Sequence, residues 1–227
     1  MITAGTRLVA LIGHPVTHSL SPRIQNAAFA ARGLDWAYVA LDVRPERLEE
    51  AIRGLAALGF AGANVTSPHK LAAAKLVEAD VPSVNTLLVE DDRITGRTTD
   101  TAALGDLPAE RPVILGDGGA ARSFHHALPH ARVFSRGGEW PPDVTDADLV
   151  VNATSERDDV LVELHGGQTL VDLPYPETAT GAAAPAAGAA VVSGLDVLVA
   201  QGAASFELWT GVPAPVGVMR AALGLPA

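Results

Sequence analysis

No cysteine occurs among the 227 residues, which removes disulfides, thiolate metal ligands and a cysteine nucleophile from consideration. Basic residues are scarce as well: 16 Lys and Arg stand against 26 Asp and Glu, a formal net charge of -10. Binding to a phosphate backbone requires a basic face, so nucleic acid is not an expected partner and any anionic ligand must be held by local positive charge. No apolar run reaches the roughly 18 to 20 residues of a membrane span. The opening stretch Met1-Ile2-Thr3-Ala4-Gly5-Thr6-Arg7 leads directly into a short apolar strand, without the longer apolar segment and cleavage site of a signal peptide. The expectation is a cytoplasmic protein with no membrane partner and no metal site. Internal repeats and blocks of like charge are also missing.

What is present is a chain long for one domain and short for two, with 48% hydrophobic residues, enough for a substantial core. Arg7 to Gly13 reads as an apolar strand. Ser21-Pro22 then supplies a helix cap and a proline at the first helical position, with Ile24, Ala27, Ala28 and Ala31 as the buried stripe and Gly33 as the stop. Trp36 to Val43 is a strand, Pro45 to Leu58 a helix, Phe60 to Val65 a strand, and Pro68 to Val77 a short helix. Strands separated by helices predict a mainly parallel sheet. Val84 to Leu88 and Arg93 to Thr95, split by Glu90-Asp91-Asp92, predict a hairpin.

The pattern restarts after Leu107-Pro108. Pro112 to Leu115 is a strand, Gly116-Asp117-Gly118-Gly119-Ala120 a glycine turn, and Ala121 to Leu128 a helix. Such a turn lets the backbone approach a pyrophosphate at the helix N-terminus; a glycine cluster alone is more often a plain tight turn, and the strand before it and helix after it favour the cradle. Arg132 to Ser135 is the next strand. It ends at Arg136, where an arginine instead of an acid suits the 2′-phosphate of NADP, the plain alternative being a solvated loop arginine. Leu149 to Asn152 and Thr169 to Leu173 are further strands, Thr178 to Ala190 is read as a helix, and Val197 to Ala204 with Val216 to Leu223 as a helical hairpin.

The chemistry centres on Lys70 and Asp100. A lysine facing a carboxylate is a proton-relay candidate, since the acid holds the amine and tunes its charge; a solvated salt bridge is the bland reading of the same two residues. Ser19, Ser21, Asn64, Thr66, Asn85 and Thr86 gather at the ends of predicted strands. Open α/β sheets bind ligands there.

Five ordered stretches give the chain a resemblance to the shikimate dehydrogenase family: Gly13-His14-Pro15 with His18-Ser19-Leu20-Ser21-Pro22, Asn64 to Lys70, Val84-Asn85-Thr86-Leu87, Gly96 to Asp100, and Leu198 to Ala203. The resemblance implies a two-domain α/β protein. Residues 1–101 and 196–227 would form a mainly parallel substrate-binding domain, residues 102–195 a compact Rossmann-like NADP-binding domain, and the C-terminal helices would pack back on the first. It implies the reversible reduction of 3-dehydroshikimate to shikimate with NADP, in aromatic amino acid biosynthesis. Lys70 would be the general acid/base and Asp100 its partner. Ser19 and Ser21 resemble the serines that grip the substrate carboxylate. Asn64, Thr66, Asn85 and Gln201 would hold the ring hydroxyls, and Tyr175 resembles a tyrosine lining the same cleft. Gly116, Gly118, Gly119, Ala120, Ser135, Arg136 and Thr154 would contact the cofactor. A homodimer stays open.

Departures from the family pattern cluster on the cofactor side. Asn-Thr-Asp-Gly becomes Thr98-Thr99-Asp100-Thr101, a histidine becomes Gln25, and Asp117 sits among the cradle glycines. Ser135-Arg136-Gly137 stands for Asn-Arg-Thr, and Glu156-Arg157 replaces a glycine and a methionine. About a dozen residues separate Arg136 from Asp148, where the family inserts a longer helix and strand. The expectation is weaker dinucleotide binding. Two readings follow: an active dehydrogenase for shikimate, quinate or an amino-substituted analogue, or a protein that binds a shikimate-like ligand without turnover.

Overall fold

The computed structural model describes residues 2–226. Two compact units emerge, Met1–Thr99 with Val199–Ala227 and Asp100–Leu198, each built on its own five-stranded sheet.

In the first unit the strands are β1 (Arg7–Gly13), β2 (Trp36–Asp42), β3 (Phe60–Val65), β4 (Thr86–Glu90) and β5 (Arg93–Arg97), in the order β2-β1-β3-β4-β5. The first three are parallel and the last two antiparallel, because a tight turn at Asp91-Asp92 folds β4 directly onto β5. Asp91 adopts φ 53°, a left-handed conformation that aspartate tolerates better than bulkier side chains. β1 lies in the middle of the parallel part and is buried from Val9 onward, which accounts for its unbroken apolar run. Helix α1 (Ser21–Ala31) buries Ile24, Ala28 and Phe29. Helix α2 (Leu48–Ala57) buries Leu48, Ile52 and Leu55 at helical spacing against Ala10, Ile12, Val65 and Leu87 of the sheet. A one-turn helix α3 (Lys70–Ala73) follows β3.

The second unit contains β6 (Pro112–Leu115), α4 (Gly119–Ala127), β7 (Arg132–Phe134), β8 (Leu149–Asn152), β9 (Thr169–Asp172), α5 (Ala179–Ala183) and β10 (Ala190–Val192). Its sheet is wholly parallel, in the order β10-β9-β8-β6-β7. Alternation along these short strands sends Val113, Leu115, Val150 and Leu170 to one core. Ile114, Leu149, Val151 and Val171 go to another, shared with Ala121 and Phe124 of α4. β6 has β7 on one side and β8 on the other, so the strand order reverses there, the switch point at which such sheets bind ligands. Among the described residues no strand lies outside β7. A complete dinucleotide-binding half carries one more there. Residues 135–148 cross from β7 to β8 without a helix, held by Gln168, whose Nε2 donates to the carbonyls of Val144 and Ala147 at 2.7 and 2.9 Å.

Two helices complete the chain: α6 (Gly194–Thr210) and α7 (Val216–Ala222), the latter packed on α1. Several expected boundaries move. Ser21 is the first helical residue and not the cap, which is Leu20 without a side-chain bond. The predicted helix over Thr178 to Ala190 breaks into α5 and a 3₁₀ turn over Ala184–Ala187. Pro185 opens that turn, Gly188 at φ 78° ends it, and β10 follows. α6 runs beyond the expected Ala204 because Phe206 and Trp209 continue its buried face. The helix expected over Pro68 to Val77 shrinks to α3. Among the described residues no helix is long and apolar enough to cross a membrane.

Candidate functional site

The carboxyl end of β3 and the start of β4 gather the polar residues of the first unit around Ser205 of α6, which is completely buried. Asn64, the penultimate residue of β3, donates through Nδ2 to the carbonyl of Asn85 at 3.0 Å, to Thr86 Oγ1 at 3.1 Å and to Ser205 Oγ at 2.9 Å. Its Oδ1 accepts from the Tyr38 hydroxyl at 2.8 Å. Asn85, just before β4, accepts the Thr99 backbone N–H at 2.7 Å on Oδ1. Its Nδ2 donates to Thr99 Oγ1 at 2.9 Å and to Gln201 Oε1 at 3.5 Å. Ser205 also contacts Thr86 and Thr99 at 3.0 and 3.1 Å, and donates to the carbonyl of Gln201, one turn earlier, at 2.9 Å. Buried polar groups must find partners, and an amide held on both sides cannot flip. Asn64, Asn85 and Gln201 therefore share one cluster.

The helix reaches this sheet because β3 is narrow where they meet. A Cβ on Gly62 would lie 2.3 Å from the Leu87 carbonyl oxygen and 2.4 Å from Trp209 Nε1, and that indole N–H donates to the same carbonyl at 2.9 Å. Sequence reasoning missed Tyr38, Thr99, Ser205 and Gly62. Ser205 looks like one more small residue of an alanine-rich helix, and its partner Asn64 is 141 positions away.

The remaining candidates of this unit follow β1 and β3. Ser19 accepts the Ser21 backbone N–H on Oγ at 3.3 Å; Ser19 is half-buried and Ser21 buried. Thr66, half-buried, lies against Gly13, where a Cβ would come within 2.4 Å of its methyl group. Lys70 is half-buried at the first position of α3, and its carbonyl accepts the Val84 N–H at 3.1 Å. Next to it, buried His69 meets the Val43 carbonyl through Nε2 at 2.7 Å, which pins the turn that carries the lysine.

In the second unit Asp100 opens a 3₁₀ turn and is 6% exposed. Ser123 of α4, also unforeseen, donates to its Oδ2 at 3.1 Å, so one carboxylate oxygen is fixed from the helix that begins at the glycine turn. Tyr175 is half-buried just beyond β9. The cofactor candidates all lie at the carboxyl edge of this sheet. Gly116, at φ 113°, follows β6, and a Cβ there would sit 3.0 Å from the Ala153 carbonyl oxygen, so only glycine fits comfortably. Gly118 is the cap of α4, lacks a side chain to cover the first turn, and opens onto free space, with nothing within 4 Å of an added Cβ. Gly119 and Ala120 form that first turn, with no acidic residue in it. Thr154 is fixed by Asn152 Oδ1, which accepts its N–H at 3.2 Å and its hydroxyl at 2.8 Å. Ser135 and Arg136 follow β7. An open, uncapped helix terminus beside a switch point fits a pyrophosphate.

Arg136 is the exception to an otherwise open edge. Its guanidinium donates to Glu156 Oε2 at 3.1 Å and lies 6.0 Å from the centre of the Trp140 ring. The other oxygen of Glu156 accepts the backbone N–H groups of Asp158 and Arg157 at 3.1 and 3.0 Å. These backbone bonds first, and Arg136 after them, hold the Glu156 carboxyl below the usual carboxylate range. Among the described residues no cluster of three metal-ligating side chains occurs.

Comparison with known proteins is consistent along the whole chain. Residues 11–87 match the family model of the shikimate dehydrogenase substrate binding domain, and residues 194–223 that of the shikimate 5′-dehydrogenase C-terminal domain. The shikimate dehydrogenase (NADP(+)) of Anaeromyxobacter dehalogenans is 40% identical over 271 residues, covering 98% of both chains. The chain belongs to the shikimate dehydrogenase family. A shikimate dehydrogenase solved in complex with NADP+ superposes with a TM-score of 0.89 at 33% identity, covering 98% of this chain and 96% of that one. The Thermus thermophilus shikimate dehydrogenase in complex with NADP(H) and shikimate gives 0.84 at 30% identity, over 96% and 98%. The expected α/β fold and family are thus those of a shikimate dehydrogenase. The alignment with the Anaeromyxobacter protein is longer than this chain, so that relative carries segments lacking here, in keeping with the short crossover from β7 to β8.

Proposed function

We propose that this protein catalyses the NADP-dependent, reversible reduction of 3-dehydroshikimate to shikimate. The observation that carries the reading is 40% identity to an NADP-dependent shikimate dehydrogenase along nearly the full length of both chains. In this reading the unit of Met1–Thr99 and Val199–Ala227 holds the substrate and the unit of Asp100–Leu198 the dinucleotide. NADPH, when bound, supplies the hydride. Gly116, Gly118, Gly119 and Ala120 would take its pyrophosphate at the start of α4, Arg136 its 2′-phosphate, with Ser135 and Thr154 beside them.

The chain's own part is binding and proton transfer. Lys70 Nζ donates a proton to the substrate carbonyl oxygen as it gains charge, and withdraws it in the reverse direction. Asp100, one of whose oxygens accepts from Ser123, would be the lysine's partner in this transfer and accept from a ring hydroxyl. Ser19 and Ser21 hold the carboxylate by directed hydroxyl bonds. Asn64, Thr66, Asn85 and Gln201 would select the ring hydroxyls, and Tyr175 would contact the substrate. Asn64 is bonded on both sides of its amide, so its larger part is to hold the Asn85 backbone and Thr86. A dependence on NADPH fits a cytoplasmic location.

The test is NADPH oxidation with 3-dehydroshikimate beside a calorimetric titration with shikimate. Turnover with NADPH is the expected result. Shikimate binding with no oxidation of saturating NADPH or NADH would replace the enzyme with a ligand-binding protein, and turnover only with a quinate-type substrate would change the substrate.

A further inference from the structure

Glu156 stands where the family pattern has glycine, and it is a built feature of the sheet edge. One carboxylate oxygen is held by two backbone N–H groups and the other faces the arginine proposed for the 2′-phosphate. The loop that presents it is itself tied down, since Thr154 Oγ1 accepts the Glu156 N–H at 3.2 Å and Thr154 is fixed on Asn152. The Glu156 side chain is 24% exposed against 64% for Arg136, so the carboxylate is the anchored partner and the guanidinium the more exposed one. Arg136 must leave this carboxylate, or share its donors with it, before it can grip a phosphate. The two anions would then stand on one cation, and like charges so close disfavour each other. NADH brings no 2′-phosphate and leaves the pair intact.

We propose that Glu156 is a specificity-determining residue that narrows the preference of this protein for NADPH over NADH, by competing with the 2′-phosphate for Arg136. The inference rests on the NADP reading above and concerns affinity, not the chemical step. Glu156→Gln keeps the acceptor for the two backbone N–H groups and puts an uncharged NH2 in place of the oxygen that faces Arg136; Glu156→Ala removes both oxygens.

The experiment is a fluorescence or calorimetric titration of the full chain with NADPH and separately with NADH, without substrate, and with thermal melting to establish that each variant is folded. For Glu156→Gln the Kd for NADPH should fall about three- to tenfold, the scale of one released ion pair together with relieved repulsion, while the Kd for NADH stays within about twofold. In an Arg136→Ala background the same substitution should tighten NADPH binding by clearly less than it does in the wild-type chain, since only the relieved repulsion remains. Equal tightening of both cofactors in Glu156→Gln would mean a general field effect and overturn the proposal, as would no change in either. A wild-type chain that binds neither cofactor would remove the NADP reading itself. One that binds NADPH with a selectivity indifferent to residue 156 would remove only this inference. Glu156→Ala should agree in direction, so the outcome does not hang on one variant.

Discussion

Ser205→Ala tests whether the buried cluster in the first unit orients the proposed substrate contacts. The hydroxyl gives its single proton to the Gln201 carbonyl at 2.9 Å and accepts from Asn64 Nδ2 at 2.9 Å, with the Thr86 and Thr99 hydroxyls in contact at 3.0 and 3.1 Å. Its removal orphans none of them. Asn64 Nδ2 keeps the Asn85 carbonyl at 3.0 Å and Thr86 at 3.1 Å, and the two threonine hydroxyls keep Asn85 Oδ1 at 3.1 and 3.2 Å. The cost is therefore the net value of one or two hydrogen bonds, about 1–2 kcal/mol, without the larger penalty of an unpaired buried group. In a chain of 227 residues that is a drop in Tm of roughly 2–8 °C. Shikimate affinity should weaken by about three- to tenfold at the same time, because Asn64, Thr86 and Thr99 lose their common partner and the two threonines bond the Asn85 amide. Tyr38→Phe removes the donor on the opposite side of the Asn64 amide, so the double variant should depart from additivity by about 0.5 kcal/mol or more. Thermal denaturation and calorimetry measure both quantities. Additive stabilities with unchanged shikimate affinity would refute the idea that the cluster orients the site.

Lys70→Ala should lower turnover by about 10²-fold or more while shikimate binding stays nearly intact, as followed by NADPH oxidation and calorimetry; an equal loss in binding would make the lysine an anchor. Gly62→Ala should destabilise by about 1–3 kcal/mol in a denaturant melt, since its methyl group must displace Trp209 from the Leu87 carbonyl, and wild-type stability would show that α6 can shift freely. His165 should titrate above its ordinary range, because its ring is held by the carbonyls of Gly166 and then Thr145, which favour the protonated form. With the folded value raised, its contribution to stability is complete below the unfolded value of about 6.5 and fades as pH rises through the folded one. An NMR titration in which His165 lies at or below that unfolded value would contradict this.

How much could be read from the chain follows from the range of each interaction. β1, β3, β6 and β8 match their expected bounds to the residue because each is an apolar run closed by a turn, a local signal. The glycine turn at Gly116 to Ala120, between β6 and α4, was legible for the same reason. The split at Pro185 and Gly188 was obscured by an alanine-rich context that suits a helix equally well. In the candidate site, residue types were legible from ordered motifs, but their supports were not. Asn85 and Thr99 lie across a hairpin, Asn64 and Ser205 on elements far apart in the sequence, and Asp100 depends on a serine that looks like any other helix residue. Glu156 was visible as a departure; that it meets Arg136 depends on β8 and β7 flanking the same strand.

A sheet that stops at β7 leaves backbone N–H and C=O groups without a neighbour, the kind of edge onto which another chain can add a strand. Here the edge is poor bait. β7 is only three residues long, and Arg132 at its start is charged, paired with Asp146 and laid 5.8 Å from the Phe134 ring centre, so the strand offers little length and a charge beside its one exposed apolar residue, Val133. A substitution such as Arg132→Val would remove the charge from this edge beside the exposed Val133, and edge-to-edge association is expected there first.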